Sequence, residues 1–394
     1  MPGDTHSCKV CANPYLAEIP EFRSLPRVTS DCMPFRPGGR LLVCGACGAA
    51  QSPSDEQWLS EIREIYNNYR PYHQAGGVEQ HVADPTTGQL RRRSQILVER
   101  YLALPDVPRS GKVIDIGCGT GATLRALSER GGWRLYGSEI DTKNIHSLAS
   151  LDGFEALYTG APSELPGRFD LITMVHALEH FPDPVEVLRD VRNKIAPGGR
   201  LFVEVPNSDS NPFDLVIADH MMHFTPDTLC ALAVRAGFKA DCLATTWVAK
   251  ELSLTARCSE PQADDDLRSN ASFTALHRVR GQVNWLGRFV DTSREASAAA
   301  RSFGLFGTSI VATWLSSFLG DSVSFFVDED PNRAGGTYLG RPVIHPSQVQ
   351  QGSVVYLALI PEIAAKVELR LRSTIPELRL PPANLSGPGG GGGS

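Results

Sequence analysis

A doubly wound α/β core, preceded by a small cysteine-bearing module and followed by a second, smaller α/β unit, is the fold class the sequence predicts. Three observations lead to it. Short apolar runs alternate with amphipathic helical stretches between about residues 90 and 258, a glycine-rich turn (VIDIGCGTG) follows the first of those runs, and the same alternation returns after residue 273. Strand and helix in alternation imply parallel strands joined by right-handed crossovers.

Length and composition agree with several packed units. A chain of 394 residues exceeds what one core usually supports. With 42% apolar and 21% charged residues it has the composition of a globular protein and not of a disordered one. A net charge of −6 argues against a surface built to neutralise phosphates, so nucleic acid is not an expected partner. The N-terminus, MPGDTHSCKVC, lacks a basic stretch leading into an apolar run, and no eighteen uncharged apolar residues occur together. A cytoplasmic protein without a membrane partner is expected.

Taken in order, residues 1–52 carry CKVC and CGAC at the ends of a Pro-, Arg- and Gly-rich stretch, and read as a loop-and-hairpin module. Residues 53–89 begin with a Ser/Asp cap signal and place Trp58, Ile62 and Ile65 at helical spacing before a tyrosine-rich segment, NNYRPYHQ. Residues 90–258 hold the core: KVIDIG, a helix over 121–130, RLYGSEI, FDLITMVHAL, a helix over 184–195, GRLFVEVPN and a closing hairpin over 238–256. A polar, acidic linker covers 259–272, the third unit spans 273–382 starting with a long helix, and GPGGGGGS ends a low-complexity tail over 383–394.

The strongest chemical signal is the turn. Asp115 lies near the end of an apolar strand, and Gly117, Gly119 and Gly121 follow with GxGxG spacing instead of the GxGxxG of dinucleotide binders. Glycines suit a tight turn that a ligand must approach closely. The next strand ends in Glu139, an acid placed to accept both hydroxyls of a ribose. A glycine turn in an unrelated α/β protein is the bland alternative.

These residues, with FDLITMVHALEHFPDPVEVLRDVRNKIAPGGRLFVEVPN, resemble class I S-adenosylmethionine (SAM)-dependent methyltransferases over roughly residues 90 to 245. The resemblance implies a Rossmann-like core, SAM as cofactor, and Asp115, Gly117, Gly119, Gly121 and Glu139 around it. His176, in HALEH, falls where that family builds its cofactor wall, and His180 falls on the acceptor side. Both also suit a purely structural strand-to-helix turn.

Nine cysteines form no disulfide framework in a chain without a secretion signal; Cys32, Cys118, Cys230, Cys242 and Cys258 lack paired spacing. Cys8, Cys11, Cys44 and Cys47 make two CxxC pairs in one short module, a pattern that tetrahedral zinc commonly satisfies in a structural role. A redox CxxC is the competing reading.

Cys8 to Cys47, the tyrosine segment, the core and a C-terminal α/β domain are together similar to the layout of sugar 3-C-methyltransferases. That resemblance implies a small acceptor, a nucleotide-linked 4-keto-deoxysugar, with Tyr69 and Tyr72 lining its site. C-methylation beside a ketone needs a base, and a near-neutral histidine is suited to it. In DHMMHFTP, His223 matches in position the presumed base of those enzymes and His220 is a possible substitute. The glutamate that precedes this histidine in the family is replaced by Met222, which predicts an imidazole short of an orienting carboxylate. O-methylation, and a non-catalytic binding protein, remain alternatives.

The third unit opens with SFGLFGTS, in which Gly304 and Gly307 flank bulky Leu305 and Phe306. It is expected to close over substrate or to form a homodimer, with a second nucleotide site as the alternative.

Overall fold

A computed structural model describes residues 7–70, 78–79, 81–260, 272–375 and 377–383. Tyr72, the acidic linker except its first two and last residues, and the glycine tail except its first residue lie outside the described residues.

The core is a seven-stranded sheet in the order Phe154–Thr159, Trp133–Glu139, Gly111–Ile116, Phe169–Val175, Ile195–Pro206, Glu251–Cys258, Phe238–Ala244. All neighbours are parallel except those of Glu251–Cys258, which is antiparallel to both of its partners. The side-chain period of two sends Ile114, Ile116, Ile172, Val203 and Val205 to one face and Val113, Leu135, Leu171 and Phe202 to the other. Each face is covered. Helices Pro184–Lys194 and Pro226–Arg235 pack on the first, and Arg93–Ala103 and Ala122–Ser128 on the second. Strand order reverses between Gly111–Ile116 and Phe169–Val175, where an open α/β sheet forms its ligand crevice.

The boundary at residue 52 is crossed by the fold. Strands Leu16–Glu18, Leu42–Cys44 and Ala50–Gln51 form an antiparallel sheet whose fourth strand, Met222–His223, comes from the core segment. His223 pairs with Ala50, and Met222 with Gln51. The helix Glu56–Asn67 is capped by Asp55, whose carboxylate accepts from the Trp58 N–H at 2.9 Å, and the Trp58 indole donates to the Ala218 carbonyl at 3.2 Å. Buried Arg27 and Glu61 form a two-pronged ion pair at 2.8 and 3.1 Å that ties module to helix.

The third unit is a six-stranded sheet centred on Phe303–Phe306 and flanked by helices Ser272–Ala298, Ile310–Leu319 and Pro361–Leu371. Ile19, Phe22, Val28, Leu41 and Val43 of the module share one core with Phe213, Trp285, Phe289 and Trp314. The Trp314 indole donates to the Pro26 carbonyl at 2.8 Å. Gly304 is a strand residue here and only Gly307 turns the chain. In that turn the Thr308 N–H and hydroxyl donate to Asp328 at 3.1 and 2.7 Å, while Arg333 donates to the Thr308 carbonyl at 3.1 Å, so the turn is bonded within its own domain. Among the described residues no helix is long and apolar enough to cross a membrane.

Candidate active site and cysteine centre

At the carboxyl ends of the core strands, Gly117, Gly119 and Gly121 have φ of +73°, +51° and +82°, which side chains beyond glycine rarely adopt. A Cβ on Gly117 would lie 2.8 Å from the Ala177 Cβ, so the turn packs directly on the start of the HALEH segment. Glu139 sits at the tip of the next strand, where its carboxylate accepts from the Gly119 N–H at 2.9 Å and the Ile140 N–H at 2.8 Å. A partly exposed carboxylate beside a glycine turn has the acceptor set for a ribose diol, and the residues present fit an adenosyl cofactor.

Asp115 faces inward. It is buried and accepts from the Thr173 hydroxyl at 2.6 Å, bracing the first core strand to the fourth. Burial pushes its carboxyl up to about 7, with the Thr173 hydrogen bond opposing. A folded-state value above the unfolded one means that Asp115 favours folding most at low pH, and that this contribution declines as pH rises from about 4 towards 7. Asp115→Asn is therefore expected to gain stability relative to the parent between pH 5 and pH 8 in urea titrations. An unchanged difference across that range would contradict the assignment.

Opposite the glycine turn lies a buried histidine and carboxylate cluster. Asp214 uses both oxygens: Oδ1 meets His220 Nδ1 at 2.8 Å and Oδ2 meets His223 Nδ1 at 2.9 Å. Burial opposes its ionisation, but His223 and His220 outweigh that and hold it well below the usual carboxylate range. The expectation drawn from Met222 is thus overturned, because the orienting carboxylate arrives from nine residues upstream. Asp219 plays the same part for His180: the His180 Nδ1 lies 3.0 Å from its carbonyl and 3.3 Å from its carboxylate. Burial again works against the charge, yet Asp219 is held at about 2, chiefly by His180. For His180, burial lowers the imidazole and Asp219 with Glu179 more than reverse it, to about 9.

Tyr66 and Tyr69 close this cluster, 5.2 Å apart between ring centroids, with Tyr66 6.3 Å from His180. The Ser30 hydroxyl lies between Tyr69 Oη at 3.1 Å and Asp219 Oδ2 at 2.5 Å. Burial raises the Tyr66 phenol well above its ordinary value, and the charges of Asp219, Tyr69, Glu179 and Glu139 add to it.

His176 stands elsewhere. It adopts φ +51° at the end of its strand, with Nδ1 3.4 Å from Glu179 and Nε2 3.4 Å from Glu251. Glu204, fully buried beside them, is pushed well above its ordinary value by burial and by Glu251.

At the far end of the small sheet, Cys8 Sγ lies 3.5 Å from Cys47 Sγ and Cys11 Sγ 3.6 Å from Cys44 Sγ. Zinc–sulfur bonds of about 2.3 Å place tetrahedral ligands about 3.8 Å apart. All four cysteines are buried, and the Val10 and Ala46 N–H groups point at Cys8 and Cys44 sulfurs at 3.4 and 3.3 Å. The donor set suits one four-coordinate ion.

Comparison with known proteins agrees with this geometry. The sequence profile described as "Methyltransferase domain" matches residues 88–243. The ubiquinone biosynthesis O-methyltransferase of Pseudomonas aeruginosa (strain LESB58) is 31% identical over 124 residues, 29% of this chain and 53% of that protein. Its counterpart in Aeromonas salmonicida (strain A449) is 28% identical over 149 residues, 32% of this chain and 62% of the relative. The chain spans about half the length of the first curated relatives it matches. Among solved structures, mitomycin 7-O-methyltransferase MmcR has a TM-score of 0.37 at 20% identity, over 42% of this chain and 54% of its own. Residues 88–243, which the sequence profile matches, have the fold of a class I methyltransferase domain.

Of the residues expected from sequence, the structure brings Tyr69, His180, His220 and His223 into one cluster, groups Glu139 with Gly119, and gathers the four cysteines. Asp115 and His176 belong to neighbouring networks instead. Sequence reasoning gave no role to Asp214, Asp219 or Ser30, and none to Glu179 beyond its place beside His180. Glu179 and Asp219 lie within the quoted motifs HALEH and DHMMHFTP, and a D-x5-H-x2-H spacing from Asp214 was there to be read.

Proposed function

We propose that the chain is a SAM-dependent methyltransferase that methylates a small oxygenated acceptor, specifically a carbon beside the ketone of a nucleotide-linked deoxysugar. The single observation that carries this reading is the Asp214–His223 pair, an oriented buried imidazole in the cluster that also holds His180, three residues beyond the Ala177 on which the glycine turn packs. SAM supplies an electrophilic methyl group when bound. Gly117, Gly119, Gly121 and Glu139 hold and orient it, Tyr66 and Tyr69 wall off water, and His223 takes the proton whose departure makes the acceptor nucleophilic. By engaging Nδ1, Asp214 leaves Nε2 of His223 as the nitrogen that can accept a proton.

Zinc at Cys8, Cys11, Cys44 and Cys47 is part of the proposal, in a structural role. The four-sulfur set leaves no open position for chemistry.

O-methylation is the second reading, favoured by the two curated relatives, whose names specify O-methyltransferases. The same imidazole would accept a hydroxyl proton. Incubating the protein with [methyl-13C]SAM and a panel of nucleotide-linked 4-keto-deoxysugars, then locating the label by NMR, separates the two. The proposal expects a carbon-bound methyl group, and label on oxygen would replace it with the second reading. His223→Ala is expected to slow transfer by about 10²- to 10⁴-fold with cofactor affinity unchanged. Full turnover in that variant would remove His223 from its role.

A further inference from the structure

The cluster opposite the glycine turn has more negative charge than base catalysis requires. Glu179, Asp214 and Asp219 are all buried there, facing imidazoles that carry charge only when protonated. Asp214 and Asp219 are accounted for by hydrogen bonds to His220, His223, His180 and Ser30. Glu179 is not. It is 1% exposed, neither of its carboxylate oxygens makes a hydrogen bond of ordinary geometry, and His176 Nδ1 stands at 3.4 Å; burial opposes its charge, and only the imidazoles of His176, His180 and His220 hold its carboxyl low. A buried, ionised carboxylate left in this state costs several kcal/mol unless a cation meets it.

The groups that surround Glu179 are metal ligands by type. One oxygen of Glu179 and one ring nitrogen each from His180 and His220 lie within 4.8 Å of one another. The two imidazoles are 4.7 Å apart between centroids and nearly perpendicular. Each has its Nδ1 engaged, His180 by Asp219 and His220 by Asp214, so Nε2 is the ring nitrogen left for an ion, and a metal binding there would displace the proton that raises His180 to about 9 in the metal-free chain. A carboxylate or carbonyl behind each ligating histidine is the usual way that a protein fixes the tautomer and aim of metal-binding imidazoles. The alternative trio of Asp214, His220 and His223 is less suited, because both Asp214 oxygens are already taken by the two Nδ1 atoms.

We infer that Glu179, His180 and His220 form a second metal site, separate from the four cysteines, that takes a divalent transition-metal cation such as Fe2+, Co2+ or Zn2+. Two nitrogens and one carboxylate oxygen on one side of an ion leave its other positions open. Tyr66, 6.3 Å from His180 between ring centroids, and Tyr69 beside it pack against this trio. Binding of the ion is independent of the acceptor; its use in transfer, as a Lewis acid holding an acceptor oxygen, rests on the methyltransferase reading above.

Titration of the full zinc-loaded chain with Co2+, followed by visible absorption and elemental analysis, tests the site. The expected result is one equivalent of cobalt taken up beyond the zinc, with ligand-field bands and no sulfur-to-cobalt charge transfer. Glu179→Gln is expected to weaken uptake on the order of 100-fold or more, and Asp219→Asn, which alters the support of His180 and the contact with Ser30 without removing a ligand, by about 10- to 100-fold. Retained binding of S-adenosylhomocysteine in each variant reports an intact fold and tests the methyltransferase reading separately. Uptake that is absent from the parent chain, equal in parent and both variants, or accompanied by sulfur charge-transfer bands overturns the inference.

Discussion

Cys44→Ser is expected to empty the cysteine centre and to unfasten the N-terminal module, the largest effect of any single substitution in this chain. Cys44 ends the strand Leu42–Cys44 and is completely buried, so a hydroxyl there has neither a metal bond of comparable strength nor water to replace it. Structural zinc contributes on the order of 10–16 kcal/mol in small zinc modules, as much as the whole stability of a typical domain. The damage is not confined to the module. Its strand Ala50–Gln51 is the partner of Met222–His223, so the segment that carries His223 loses its edge pairing when the small sheet opens. Elemental analysis should fall from one zinc per chain to nearly none, limited proteolysis should cut within residues 7–52, and methyl transfer should vanish. A variant that keeps zinc and resists protease would show that Cys44 is not a ligand on which the centre depends.

Glu139→Ala is expected to weaken SAM binding by roughly 100-fold or more, since two hydrogen bonds to a charged acceptor contribute about 1.5–3 kcal/mol each. The loss has a second origin in the protein itself. Glu139 accepts from the Gly119 N–H, so alanine also releases the middle of the glycine turn. Glu139→Gln, which keeps an acceptor oxygen without the charge, should fall between the two. Titration with the cofactor against all three chains measures this, and equal affinities would move the ribose away from Glu139.

Local signals made the fold legible. The runs KVIDIG and FDLITM are apolar on both sides because both sheet faces are covered, and the capping Asp55 and the Pro at 184 mark helix starts. The CxxC pairs and the glycine turn were legible for the same reason, since each packs its chemistry into a few consecutive residues. What stayed hidden depends on contacts between distant segments. Nothing near Ala50 announces that it pairs with His223, and Ser30 meets Asp219 only after the module folds onto the core. The absent glutamate before His223 suggested an unsupported imidazole, whereas Asp214 reaches it from a neighbouring turn. Sequence spacing shows which residues are chain neighbours, but hydrogen-bond partners are chosen by the fold.

The reading as a whole depends on an adenosyl donor seated in the glycine turn. Isothermal calorimetry of the purified 394-residue chain with S-adenosylhomocysteine addresses that directly. One binding event per chain, lost or sharply weakened in Glu139→Ala, is the predicted result; no heat of binding in a folded, zinc-loaded protein would contradict it.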